Sequence, residues 1–301
     1  MLRNYLNVAW RTLSRNRVFS LLNIAGLALG LACSLLILLW VKDERAMDAF
    51  HINKDRLYLL YERNYTYGKV EGDYDAPALL GAELKKDIPE VQYAVTTDWH
   101  DTFTFRTEEK TLKTTGGFAG EDFFKIFSYR LLAGDAVNAL NAPGKMAISN
   151  NLAVRFFGSA QAAMGKTLHR DSVNKWKNFV VSAVFEASAH SSLTFDFLLS
   201  WDDYTIEFPW MQRWDNSGPH TMIVLREDAR PDQVRSKIKN LLARFNEHPI
   251  PGHHTELGMQ RFDEHYLHTR FENGNPHGGR ITYVRLFSLV AVFILLIACI
   301  N

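Results

Sequence analysis

The chain has 301 residues and a mass of 34.5 kDa, which suits one large domain or two of ordinary size. Its 34 Lys and Arg residues nearly balance its 33 Asp and Glu residues, so it lacks the basic excess of a nucleic-acid binder. Hydrophobic residues make up 47% and charged residues 22%, which excludes global disorder. The apolar residues are concentrated at the two ends of the chain.

The first apolar run spans residues 18–41 and contains no charged residue. As a helix it is about 36 Å long, enough to cross a hydrocarbon core of about 30 Å. A buried core helix and a cleaved signal peptide would both have a shorter apolar stretch. A lipoprotein signal cleaved at Cys33 would be followed by polar residues, whereas this run continues to Val41. We therefore predict a retained transmembrane helix.

Basic residues predict the orientation of this helix. The segment 1–17 contains no acidic residue and has Leu and Trp at helical spacing, which indicates an amphipathic helix in the membrane interface or a simple basic topology signal. Either reading places the N-terminus in the cytoplasm and residue 42 onward outside. The residues assigned to topology and interface are Arg3, Trp10, Arg11, Arg15, Arg17 and Trp40.

Small residues mark one face of the predicted span. Gly26, Gly30 and Ser34 are four residues apart and would let a second helix approach closely. We predict that they form a helix-packing face, and that leucine at Gly26 or Gly30 weakens assembly.

A second uncharged run covers residues 286–300 and reaches the last residue of the sequence. It is about 22 Å long as a helix, so we interpret 286–301 as the start of a second crossing and expect the natural protein to continue. Both cysteines, Cys33 and Cys299, lie in the apolar runs. The segment 42–285 is then an extracytoplasmic domain that must fold without disulfides.

The pattern of this segment predicts one α+β domain, in one or two lobes. The predicted elements, in chain order, are a helix between Pro77 and Pro89, strands at 91–95 and 103–105, a helix capped by Asn150 and ended by Gly158, strands at 179–185 and 221–225, and a helix from Pro231 to Phe245. The stretch 248–279 is rich in Gly and Pro and reads as long loops leading back to the membrane. An aromatic patch reads as core, or as a surface for a periplasmic partner or apolar ligand: Trp201, Tyr204, Phe208, Trp210 and Trp214.

No catalytic, metal or cofactor constellation emerges from the residues. Gly158 and Gly165 have six residues between them, two more than a phosphate-binding loop allows. The acidic alternation from Glu71 to Asp75 lacks the glycine of a calcium loop and reads as an exposed turn. Five late histidines match no metal-site spacing and read as surface residues of a loop: His253, His254, His265, His268 and His277.

Several segments, in this order, resemble one family. They read RNRVFS, LNIAGLALGLAC, DERAMDAFH, DRLY, LAGDAVNALNAPGKMAISNNLAVRFFG, MGKTL and RITYVRLFSLVAVFILLIACIN. Together they resemble the N-terminal half of an ABC transporter permease of the MacB/FtsX-like class, with a MacB-like periplasmic core domain between the first two crossings.

The resemblance implies a subunit in the inner membrane of a bacterium, without its own ATPase. Such permeases pair with a separate or fused cytoplasmic ABC ATPase, usually as dimers, and serve efflux, lipoprotein release or control of cell-wall hydrolases. Residues 18–41 would be the transmitting helix, 42–50 its outer extension, and 51–280 the moving domain. The alternatives are the ligand-sensing domain of a transmembrane receptor and, third, a membrane-anchored enzyme. Further apolar spans after residue 301 would favour the permease over the receptor.

Overall fold

The structure, a computed structural model, describes residues 11, 15–172, 175–246 and 249–300. The chain divides into two compact units. One consists of Met1–Ala46 with Gly279–Asn301, and the other is Met47–Gly278. Each unit is described by itself below.

Helices occur in both units. The α-helices are α1 Arg17–Arg45, α2 Leu80–Asp87, α3 Phe123–Ile126, α4 Asn150–Phe157, α5 Ala160–Ala163, α6 Trp201–Glu207, α7 Pro231–Ile238, α8 Phe262–His265 and α9 Arg280–Ile300. Short 3₁₀ helices lie at Pro209–Met211 and Leu242–Phe245.

The strands all lie in the second unit. They are β1 Leu57–Thr66, β2 Lys69–Asp73, β3 Val91–Arg106, β4 Thr111–Ala119, β5 Leu131–Gly134, β6 Lys145–Ser149, β7 Thr167–Ser172, β8 Lys175–Phe185, β9 Phe197–Ser200, β10 His220–Leu225, β11 His253–Arg261, β12 Phe271–Glu272 and β13 Asn275–Pro276.

The first unit contains the two long helices α1 and α9. Both are long and apolar enough to cross a membrane. Helix α1 continues four residues past the predicted end at Val41, since Lys42 and Arg45 in its last turn suit the negative end of the helix dipole. Helix α9 begins at Arg280, earlier than the predicted start at residue 286, because its first turns carry polar residues that the apolar run excludes.

The second unit is built on two interleaved βαβ units. The pieces β1-α2-β3 and β10-α7-β11 place four antiparallel strands in the order β11-β1-β10-β3. This is the split βαβ arrangement of a ferredoxin-like fold. The chain between β3 and β10 adds strands to the same sheet, which continues as β3-β4-β9-β6-β8-β5. The domain is therefore α+β, as predicted, with two halves on one continuous sheet.

Three hydrophobic clusters stabilise this sheet. Helices α2 and α7 cover one face of the ferredoxin-like half with residues such as Leu84 and Ile238. The opposite face packs on a phenylalanine-rich cluster that includes Phe123 and Phe127. The inserted half has its own core around Phe118 and the helices α4 and α5. Each half thus buries enough apolar surface to stand without disulfides.

Three predicted elements differ from the structure. The two strands around Val91 and Phe103 form one long strand, β3, with an irregularity in its pairing between Asp98 and Asp101. The cap of α4 is Ser149, whose hydroxyl accepts from the Leu152 backbone N–H, and Asn150 is the first helical residue. Helix α7 ends at Ile238, because the apolar residues after it fold as a 3₁₀ turn.

The stretch 248–279 contains a strand in place of the predicted loops. Strand β11 pairs with β1 along its whole length, from Thr66 opposite His253 to Tyr58 opposite Arg261. The glycine that suggested flexibility is used for close packing: a Cβ on Gly258 would lie 2.1 Å from the Tyr61 ring.

Candidate functional site

Two small residues of α1 face α9. A Cβ on Gly30 would lie 2.6 Å from the Ala298 Cβ, so glycine permits the close approach. One turn further along, the Ser34 hydroxyl donates to the Ala291 carbonyl at 3.1 Å, and Ser34 is buried. This bond satisfies the hydroxyl inside an otherwise apolar interface. Gly26, the third residue of the predicted face, is exposed.

The facing positions follow the spacing of a coiled coil. Along α9, the buried residues Ile281, Val284, Ala291 and Ala298 follow one another at steps of three, seven and seven residues. A repeat of about 3.5 residues keeps two helices in contact over many turns with a left-handed crossing. Most of the other large apolar side chains of both helices are exposed, which suits contact with lipid or further helices, whereas Val41 is buried.

An aromatic pair and an ion pair also join α1 and α9. The Trp40 ring meets the Phe287 ring edge-on, with centroids 5.3 Å apart. Glu44, only 9% exposed, lies 3.3 Å from the Arg280 guanidinium, measured from Oε2 to Nε. Trp40 therefore packs on the second helix as well as suiting the membrane interface for which the sequence proposed it.

The predicted topology residues at the N-terminus are placed only in part. Arg11, Arg15 and Arg17 are exposed, and Arg17 is the first residue of α1. Arg3 and Trp10 lie outside the described residues.

The second unit starts with a tightly hydrogen-bonded segment, residues 47–56, which we name the junction segment. Asp48 is fully buried, and its backbone N–H donates to the His190 carbonyl at 2.7 Å. The Asp48 carboxylate accepts from the Ser192 backbone N–H at 2.8 Å. Asp48 has φ of 60°, a conformation that Asp tolerates better than most side chains. Both ends of this residue are thus held by the loop between β8 and β9.

His51 ties the junction segment to a second loop. The Ser128 backbone N–H donates to His51 Nδ1 at 3.1 Å, and the Ser128 hydroxyl accepts from the Ile52 N–H at 2.9 Å. Since Nδ1 is the acceptor, the neutral ring carries its proton on Nε2. Burial among aromatic rings, including Phe50 and Phe127, lowers the His51 pKa to about 4.

The end of the junction segment is bound to the sheet. The Asn53 side-chain amide donates to the carbonyls of Lys125 and Ile126. The Arg56 carbonyl accepts from the Leu225 backbone N–H at 3.0 Å, and the Arg56 guanidinium donates to the Leu225 carbonyl at 2.9 Å. The junction segment is therefore an integral part of the domain.

Residues 42–50 were predicted to be the outer extension of the first helix. This prediction is wrong for residues 46–50. The helix ends at Arg45, and residues 46–50 form turns. The positive φ at Asp48 is incompatible with a continuing helix. The residues that make these contacts, Asp48, His51 and Asn53, stand out in the sequence only as polar residues among apolar neighbours. A search for apolar periodicity does not consider such residues.

The histidines are not all surface residues of a loop. His253 and His254 belong to β11, where the His254 ring stacks on Tyr65. His265 is largely buried with its ring edge-on to Tyr74 at 4.5 Å, and burial lowers its pKa to about 4. Within the described residues, no group of three or more His, Cys, Asp or Glu is placed to hold a metal ion.

Two of the acidic residues predicted to form a turn, Glu71 and Asp73, belong to β2, and they lie near a buried carboxyl group on β1. Glu62 is 7% exposed, and burial, reinforced by the charges of Asp73 and Asp75, raises its pKa to about 7. The Ser217 hydroxyl donates to it at 3.4 Å. Asp75 in turn lies 3.4 Å from His220. The turn is thus partly built into the sheet.

The aromatic patch divides between core and surface. Tyr204 is buried, and Trp201 and Phe208 pack against the same core cluster. Trp214 stacks on the Phe245 ring with centroids 3.7 Å apart, whereas Trp210 is largely exposed. Most of the patch is therefore packing.

Comparisons with known proteins agree with this architecture. Residues 20–241 match the family model described as MacB-like periplasmic core domain. A search of curated proteins finds no matching sequence.

Three solved structures are similar. A domain of a protein designated as a permease, from Porphyromonas gingivalis, has a TM-score of 0.60 at 19% identity, covering 78% of this chain and 98% of that one. The periplasmic region of MacB from Actinobacillus actinomycetemcomitans gives 0.47 at 8% identity, with 67% and 88% covered. The extracellular domain of the ABC-type transporter YknZ from Gram-positive bacteria gives 0.43 at 13% identity, with 65% and 98% covered. The first of these shares the fold of the second unit.

Proposed function

Because the chain belongs to the family of proteins with a MacB-like periplasmic core domain, we propose that it is the N-terminal part of an ABC transporter permease subunit. It couples ATP hydrolysis by a separate or fused cytoplasmic ATPase to a conformational change of residues 47–278 in the periplasm, for efflux or export. The permease works as a homodimer or with a paired permease. ATP is hydrolysed by the partner, and this chain has no enzymatic role.

The observation that carries the proposal is the anchoring of the junction segment. Helix α1 ends at Arg45, and Asp48 follows three residues later with its backbone and side chain both bound to the loop between β8 and β9. A pull on the chain at this point acts on Asp48 and His51, and through them on two loops of the domain. A segment without these bonds would absorb the same displacement as a flexible linker.

The contacts between α1 and α9 support the transmembrane part of this mechanism. A continuous helix is stiff, and α1 is fixed to α9 by the Gly30 and Ser34 contacts and by the Glu44–Arg280 ion pair. The two helices would shift together when an ATPase changes its shape at the cytoplasmic side. A coupling of this kind needs two packed states that the partner binds differently.

The test uses the full-length protein copurified with its cytoplasmic ATPase. We expect Asp48→Ala to change the ATPase rate or its response to the permease by about threefold or more, because the substitution frees the junction segment. The ATPase rate in nanodiscs and the amount of bound ATPase are measured together.

The matched control is Asp135→Ala, since the Asp135 carboxylate also accepts from backbone N–H groups, those of Val137 and Asn138, but lies in an exposed loop of the inserted half. An unaltered ATPase rate in Asp48→Ala, or the same change in Asp135→Ala, would contradict coupling through the junction segment. Failure of any ATPase to copurify would contradict the permease assignment.

A further inference from the structure

The loop that holds Asp48 also forms most of the wall of a cavity. The cavity has a volume of about 370 Å³, and six of its nine lining residues belong to the stretch between β8 and β9. Its volume falls in the range of small-molecule sites. The cavity lies entirely within the second unit.

Three aromatic rings form a rigid apolar wall behind the cavity, and two of them reach its surface: Phe195 is 9% exposed and Tyr129 is 6% exposed, whereas Phe185 is fully buried. Phe195 lies 5.0 Å from Phe185 and 5.4 Å from Tyr129, measured between ring centroids. All three are buried members of one core cluster, so their positions are fixed by packing. Leu193 adds an aliphatic surface at the rim. Such a wall suits a flat or chain-like apolar group.

The charge of the lining has one sign. Asp196 is the single charged residue among the nine that line the cavity. Its two carboxylate oxygens accept from the hydroxyls of Ser149 at 2.8 Å and Thr114 at 3.0 Å, which fixes their direction without neutralising them. No cation among the described residues forms an ion pair with Asp196. The lining thus offers a preorganised negative charge beside an apolar wall.

We propose that this cavity binds a small amphipathic amine, with its apolar body against the exposed parts of Phe195 and Tyr129 and its ammonium group at Asp196. A carboxylate ligand would meet the like charge of Asp196, and a neutral ligand would lose the Coulomb attraction. Aromatic rings add to the attraction, because their faces favour a nearby cation.

A ligand in the cavity would affect the junction segment through a short chain of hydrogen-bonded residues. The Tyr129 hydroxyl and the Ser191 hydroxyl are hydrogen-bonded at 2.6 Å. The next residue, Ser192, donates its N–H to Asp48. A ligand that orders this loop would therefore also strengthen the hold on Asp48. Binding itself does not depend on the proposed coupling to an ATPase.

The test measures binding to the whole chain in phosphatidylcholine nanodiscs without nucleotide. The probe is 4-(4-fluorophenyl)butylamine, followed by ¹⁹F NMR line broadening, with empty nanodiscs to subtract partitioning into lipid. The matched probes are the alcohol and the carboxylic acid of the same chain length. We expect saturable binding of the amine, with the alcohol about tenfold weaker and the acid without saturable binding.

Two variants locate the site. Asp196→Asn should weaken binding of the amine by about fivefold or more and leave binding of the alcohol unchanged, because only the charge is lost. Ala187→Phe enlarges an exposed residue that lines the cavity and should weaken binding of both by obstructing it, while every contact of Asp196 is kept. The control, Ala162→Phe, places the same ring at an exposed alanine of α5 and should bind like the unmodified chain.

Three results would overturn the proposal. They are no saturable binding of the amine to the unmodified chain, unchanged binding in both Asp196→Asn and Ala187→Phe, and equal affinity for the three probes. Because ATP and ATPase are absent, none of these results bears on the proposed coupling.

Discussion

Three largely buried titratable side chains have pKa values shifted far enough to change the stability of the domain between pH 4 and pH 8. Glu62 has its pKa raised to about 7, whereas His51 and His265 have theirs lowered to about 4. All three groups are therefore favoured in their neutral form by burial. The stability gained from neutral Glu62 is present at low pH and lost as the pH rises through 7. The stability gained from the neutral histidines is present above pH 6.5 and lost as the pH falls toward 4.

Glu62→Gln should stabilise the domain at alkaline pH. Between pH 5 and pH 8 the folded carboxyl group loses its proton inside the protein, which lowers the free energy of unfolding by roughly 2 kcal/mol. Glutamine has no proton to lose, so the gain of the variant over the unmodified chain should appear at pH 8 and be small at pH 5. Urea unfolding followed by tryptophan fluorescence measures it. An equal gain at both pH values would contradict a buried, protonated Glu62.

His265→Phe should stabilise the domain in acid. Phenylalanine keeps the ring packing on Tyr74 but cannot be protonated, so its advantage should grow below pH 6.5 and reach roughly 2–3 kcal/mol near pH 4. The control is His277→Phe, because His277 is exposed and paired with Glu272. A similar acid response of both variants would show that burial of His265 is not the cause.

At the scale of elements, the two apolar helices make contact through only part of the face that the sequence indicates. Gly30→Leu should separate α1 from α9, because even a Cβ at this position would overlap Ala298. Gly26→Leu should leave the pair intact, since Gly26 is exposed. The measurement is cross-linking of Ser34→Cys to Ala291→Cys in a chain whose native cysteines are replaced by alanine.

We expect Gly30→Leu to lower the cross-link yield several-fold and Gly26→Leu to leave it unchanged. Equal yields in both variants would mean that the seam tolerates a large side chain. If Gly26→Leu instead weakens assembly of the complete permease, Gly26 faces another helix there, as the sequence analysis proposes.

Hydrophobic periodicity predicted the presence of helices and strands better than it predicted which residues they contact. The apolar run at 18–41 and the proline-bounded helix α2 were predicted because each repeats one local pattern over several turns. Strand β11 was missed because its apolar residues are interrupted by a glycine and by polar residues. These interrupting residues are buried against Tyr61 and β1. The junction segment was missed for a related reason. Its contacts come from Ser128, His190 and Ser192, whose proximity to Asp48 only the tertiary fold reveals.

At the scale of the whole molecule, the two spans and the domain between them describe a membrane protein with a periplasmic-type domain. The resemblance in the sequence predicted this family, since it depended on the order of several segments along the chain. The continuous sheet could not be predicted from it, because strand pairing joins residues far apart in sequence. The location of the domain outside the cytoplasm is a separate prediction.

Cysteine labelling tests that location. In a chain without Cys33 and Cys299, Ile52→Cys should react with a membrane-impermeant maleimide in intact spheroplasts, because the side chain at this position is 87% exposed. Asn16→Cys should react only after the membrane is opened, since it lies beside the arginines at the start of α1. Labelling in the reverse order would place the domain in the cytoplasm and exclude the proposed topology.

The interleaving of β1 with β10 and β11 also constrains the order in which the domain can mature. Tyr65 on β1 bonds to Glu256 on β11 across 191 positions of chain, whereas the inserted half closes its own core from residues much nearer to one another. Loop closure over such a distance is slow, so β1, which can pair early with the adjacent β2, must wait for its partners β10 and β11 until almost the whole domain has been synthesised. During that interval the nascent polypeptide presents an aggregation-prone strand edge.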